Sequence, residues 1–140
     1  MRCLTIRQPW ATLVALGEKS FETRSWRTAY RGEIAIHAGL KIDKAVCLRE
    51  PFRSVLARHG LTADNLPAGA IVATGSLINC YEVTAGMAEE GWPYGSEYIF
   101  GDYREGRFAW ELTGVTPLED NIPAKGRLGF WEHPVLQRKR

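Results

Sequence analysis

Residues 6–32 read IRQPWATLVALGEKSFETRSWRTAYRG, and the stretch KSFETRSW (19–26) decides how the rest is read. Upstream of it, Pro9 suits a first helical position, where its missing N–H has no partner to lose. Trp10, Leu13, Val14 and Leu16 then form one apolar stripe, and Gly17 ends the helix. KSFETRSW follows as a strand, with Glu22 and Arg24 two residues apart on one face. Lys19 has the opposite parity and joins them only from the turn before the strand. Two readings stand. As a solvated hairpin face, Glu22–Arg24 is a surface ion pair worth about 0–1 kcal/mol. As the wall of a site, Arg24 grips a phosphate or base edge and Glu22 accepts from an exocyclic amine.

Outward from this stretch, RCLTIR (2–7) reads as a strand, and GEIAIHA (32–38) as another with Ile34 and Ile36 on one face and Glu33, Ala35 and His37 on the other. Residues 42–60 are helical in composition, and Pro51 divides them into two short helices. Residues 66–83 carry a turn and a long β-rich run in which Gly75 marks a bulge or bend. Residues 85–106, rich in Gly, Pro, Glu and aromatics, read as a long loop or lid. GRFAWELTGVTPL (106–118) and KGRLGFWE (125–132) supply the last strands. Five or six strands with two or three peripheral helices, in non-alternating order, predict an α+β fold built on a small β-barrel.

The 140 residues, 45% hydrophobic and 24% charged, predict one globular domain over 1–140 with a basic tail at about 134–140. No run approaches the roughly 20 apolar residues of a membrane span, and MRCLTIRQPW lacks a signal peptide's apolar core, so a cytoplasmic protein is expected. Cys3, Cys47 and Cys80 lack metal or disulfide spacing and read as reduced structural thiols. No metal or cofactor is expected. The net charge of +2 hides a segregation: residues 1–32 carry six Lys and Arg against Glu18 and Glu22, whereas 82–105 is acidic. A basic face made from the chain ends would attract phosphates.

QPWA opening a helix, GEKSFETRSW after it, YRGEIAIHA next and a late KGRLGFW resemble the ASCH domain, a branch of the PUA-like superfamily of small β-barrels. The resemblance runs from about residue 3 to about residue 132 and implies a cleft between the first helix and the following hairpin. PUA-like folds mostly bind RNA or modified bases there, and some relatives are hydrolases: one deacetylates N4-acetylcytidine, and ribonuclease activity is ascribed to another. Family membership alone does not choose among these.

The resemblance places Lys19 in the cleft wall and Lys125 and Arg127 beside it. Glu22 and Arg24 join them once the hairpin lines the cleft. Gln8 and Trp10 stand at a helix start, where free N–H groups favour an anion; the alternatives are a capping role for Gln8 and a core role for Trp10. Trp26, Arg27 and Arg31 interleave rings and guanidinium groups, as single-strand binders do, or else Trp26 covers a barrel end while Arg31 serves a turn. Tyr30 and His37 are weaker acid–base candidates. In the deacetylating relatives a threonine nucleophile stands three residues after the lysine; here that position is Glu22, which argues against a covalent threonine mechanism and makes Lys19 and Glu22 the leading catalytic candidates if the domain is an enzyme. The expected function is a nucleic-acid-binding module for RNA or another single strand. The alternative is a small hydrolase of the ribonuclease or amidohydrolase kind.

Overall fold

The structure, a computed structural model, describes residues 1–134; of the basic tail, everything from residue 135 on lies outside the described residues. Six strands form one sheet, in the order β2-β5-β4-β3-β1-β6. Strand β1 (Arg2–Gln8) runs parallel to β3 (Gly32–Ile42), and every other pairing is antiparallel. The alternation read in GEIAIHA holds. Ile34, Ile36 and Ala38 enter the main core with Leu4, Ile6, Val14 and Trp110. Ala35 packs on the other face with Cys3, Ile71 and Trp131. Both faces of this strand are therefore covered, which is why His37 is buried rather than exposed.

Helix α1 (Trp10–Ala15) begins one residue later than the sequence suggests: Pro9 is its N-cap. Gln8 takes over the capping role, its Oε1 accepting from the Thr12 N–H at 2.9 Å. Gly17, at φ +77°, turns the chain out of the helix in a conformation that favours glycine. Helices α2 (Lys44–Cys47) and α3 (Phe52–Arg58) divide around Pro51 as read, and the Asp43 carboxylate caps α2. They build a second apolar cluster with Leu13 and Phe100. Phe100 ends α5 (Glu97–Phe100), which with α4 (Ala85–Glu89) lies inside the segment read as a loop. That segment is packed down: Phe100 is fully buried, and Trp92 meets Phe21 and Tyr81 edge-on.

The fold is α+β as expected, but the described residues hold five short helices rather than two or three, and the sheet does not close into a barrel. The reason is strand length. Strand β6 (Phe130–Glu132) pairs only with Arg2–Leu4, so the β1 edge beyond Leu4 has no ladder partner on that side. At the other end of the sheet, β2 (Phe21–Arg24) pairs with β5 (Phe108–Pro123) alone and not with β3, so the hairpin expected after α1 does not form. Side chains span the gap. The Arg24 guanidinium donates to the Thr5 carbonyl at 2.7 Å, and Trp26 packs edge-on against Phe130.

The bend needed to bring the two ends together is built into β4 (Ala70–Glu82), whose register against β5 shifts between Thr74 and Ser76. A Cβ on Gly75 would lie 2.8 Å from Val115 Cγ2 and 3.1 Å from Val115 Cα. Backbone cannot yield as a flexible side chain can. Gly75→Ala is therefore expected to cost about 1–3 kcal/mol of stability, seen as a lower urea midpoint at unchanged slope.

Candidate functional site

A cleft of about 500 Å³ opens in the gap that the sheet leaves. Thr5, Ile6 and Arg7 line it from the uncovered part of β1, and residues 22–26 from β2 and its exit. Trp10 of α1, Arg49 and Phe52 from the α2–α3 turn, and residues 99–102 complete the walls with Lys19 and Arg107. Five cations line this space against two carboxylates, Glu22 and Asp102. The local field therefore favours an anion.

At its floor the three charged residues of KSFETRSW form one chain of contacts. Lys19 sits in the turn before β2, only 1% exposed, and its Nζ donates to the Phe21 carbonyl. Nζ lies 3.5 Å from Glu22 Oε1, while Glu22 Oε2 lies 3.1 Å from Arg24 Nε. The Arg24–Thr5 hydrogen bond then ties this chain to β1. Burial pulls the Lys19 ammonium below its ordinary range, and the Glu22 and Glu97 carboxylates act in the opposite direction. A buried cation with a bound carboxylate is the arrangement that keeps such a charge tolerable.

The 85–106 segment supplies the far wall. Glu97 accepts from the Ser20 N–H at 2.5 Å, and the Thr23 hydroxyl accepts from the Asp102 N–H at 3.0 Å. Hydrogen bonds from Arg104 hold the Asp102 carboxyl below its usual range, and Arg107 lies 3.3 Å away. Burial, then the Glu97 and Glu22 charges, push the Tyr103 phenol far up, so that it stays protonated.

Of the residues singled out from sequence, the structure gathers Trp10, Lys19, Glu22, Arg24 and Trp26 at the cleft. Trp26 also covers the end of the sheet, 4.6 Å edge-on from Trp110, and remains 36% exposed. Gln8 is elsewhere: fully buried, with Nε2 donating to Thr12 Oγ1 and to the Pro67 carbonyl. Its polar atoms are consumed by the helix start and the Pro67 carbonyl. Arg27 pairs with Glu82 on the surface at 3.1 Å, and Arg31 donates to the Thr28 and Tyr30 carbonyls as a turn brace. The Tyr30 hydroxyl donates to the Glu33 carbonyl. None of these lines the cleft. Lys125 and Arg127 line a different groove, together with His37. Arg7, Arg49, Asp102 and Arg107 were missed; nothing local marks the last three, which come from segments that only folding brings to β2. For Arg7 a signal existed in its place beside QPWA.

An α+β domain with a cation-rich cleft in the gap of a bent sheet is the class this geometry defines. Residues 4–120 match the ASCH domain, and the chain belongs to that family. It is 32% identical to human activating signal cointegrator 1 over 81 residues, covering 56% of this chain and 14% of the human protein, with the same figures for the mouse protein. It is also 39% identical over 87 residues to a porphobilinogen deaminase of Pelotomaculum thermopropionicum, covering 52% of this chain and 28% of that protein. The chain thus spans a minor part of these curated relatives. Among solved structures, an ASCH protein of Zymomonas mobilis superimposes with a TM-score of 0.52 at 17% identity, covering 87% of this chain and 72% of that one. That likeness concerns the fold.

Removing one member of the buried chain exposes the cost of the others. Glu22→Gln keeps the shape but leaves Lys19 without its carboxylate, and is expected to destabilise by about 3–5 kcal/mol. The double variant Lys19→Met, Glu22→Gln should recover part of that loss, as urea unfolding of all three proteins would measure.

Proposed function

We propose that this domain binds RNA or another single-stranded nucleic acid in the cleft between α1 and β2. The observation that carries the reading is the composition of the walls: Arg7, Arg24, Arg49 and Arg107 together with Trp10 and Trp26 around one opening. Guanidinium groups track a phosphate backbone, and indole rings supply stacking surfaces worth about 1–3 kcal/mol per base. Arg7 and Arg49 are exposed at the rim and serve the backbone. Arg24 and Glu22, deeper and fixed by each other, serve the base. Gln8, Arg27, Arg31, Lys125 and Arg127 lie outside the cleft and are left out of this interface.

Binding asks less of these groups than turnover does. Lys19 Nζ is already engaged by the Phe21 carbonyl and Glu22, and both Glu22 oxygens face cations, so neither group stands free to move a proton. The hydrolase reading is therefore the second outcome of the same experiment.

Labelled single-stranded RNA and duplex DNA titrated at two salt concentrations should give tighter binding to the single strand. Its affinity should fall with a log–log salt slope of about −0.7 per neutralised phosphate. Arg49→Ala should weaken binding and flatten that slope, while Trp26→Ala should weaken it at unchanged slope. Absence of binding at low salt overturns the proposal. Products from the RNA or from added N4-acetylcytidine, lost on Lys19→Ala, would instead place the protein among the hydrolases.

A further inference from the structure

The groove that holds Lys125 and Arg127 carries a second site. It encloses about 630 Å³, and Leu40 and Leu128 both line it. These are the two most exposed large apolar side chains of the described residues, at 82% and 98%. They come from segments far apart in sequence, yet face one groove. No Asp or Glu lines it, and its two full charges, Lys125 and Arg127, are both positive and exposed.

Its floor is rigid and already satisfied. The Ala124 carbonyl can only accept, so His37 Nε2 carries the proton of their 2.7 Å hydrogen bond. His37 Nδ1 meets the Thr5 hydroxyl at 3.1 Å, and that hydroxyl accepts from Trp131 Nε1 at 3.0 Å. Gly126 lies so close that a Cβ there would be 2.7 Å from Thr5 Oγ1 and 2.8 Å from His37 Cε1. The loop bearing Leu128 is therefore held against the sheet, and the groove is formed before anything binds.

We infer that this groove docks a partner protein through an extended peptide that inserts a large apolar side chain between Leu40 and Leu128 and sets carboxylates against Lys125 and Arg127. Charge complementarity selects an acidic segment, and the paired leucines select an apolar anchor within it. Nucleic acid fits less well. The lining offers no indole, phenyl or phenol ring for a base, and the polar groups on the floor are spent on one another.

A display library of random peptides, selected on the wild-type protein and counter-selected on Leu128→Ser, tests this without reference to the cleft. Enriched sequences should combine Asp or Glu with Leu, Ile, Met or Phe. One such synthetic peptide should lose about tenfold or more in affinity on Leu128→Ser and on Lys125→Glu. Both side chains are exposed, so thermal unfolding should be unchanged, and Leu128→Ser should leave RNA affinity as it was. No enrichment over the counter-target overturns the inference. So does enrichment of peptides lacking carboxylates, or binding that neither substitution weakens.

Discussion

The contact on which most depends is the Arg24 guanidinium, held on one side by Glu22 and on the other by the Thr5 carbonyl. A six-stranded sheet bent far enough to approach itself must either pair its end strands or find another way to satisfy them. Strand β6 is too short to pair along all of β1, and β2 is too short to reach it. One long, charged side chain does what a ladder would otherwise do. A hydrogen bond to a charged group contributes about 1.5–3 kcal/mol, so one such bond is a meaningful brace for a domain of this size.

This solution also creates the cleft. A closed barrel would fill the space between β1 and β2 with backbone pairs, leaving no opening there. Because the closure is made by side chains, the opening is lined by the same charged groups that make it. Lys19 and Glu22 lie beneath Arg24 and fix its position from below. Structure and candidate function thus compete for the same atoms. The groups most firmly placed are the least free to react, which favours recognition over chemistry at the floor.

The segment 85–106 plays a corresponding part from outside. It sets the Glu97 carboxylate on the Ser20 N–H, donates the Asp102 backbone N–H to the Thr23 hydroxyl, and anchors itself with Phe100 in the second core cluster. A strap with acidic groups against the basic β2 edge lowers the net field of the cleft while fixing its far wall. The second groove differs in its exposed lining. Its polar groups are internally satisfied and its exposed surface is apolar with a basic rim, so the two faces suit different partners.

Much of this was legible in the residues themselves. Alternation in GEIAIHA, the breaking proline at 51 and the glycine at 75 each act through local sterics, and each does in the structure what the sequence says it should. The QPWA–KSFETRSW spacing marked the family and five of the cleft residues, because helix, turn and strand are contiguous there. Local order could not tell that Gln8 turns inward to cap α1, since capping and ligand contact ask for the same side chain. Nor could it tell that Lys125 and Arg127 stand apart from the cleft, or that Arg49 and Arg107 join it. Those outcomes depend on sheet order and on where a short sixth strand stops, and both are set by long-range packing. The sequence determined most of the elements and the family; the tertiary structure decided that the 85–106 segment folds into α4 and α5, that the sheet stays open and which charges meet in the opening.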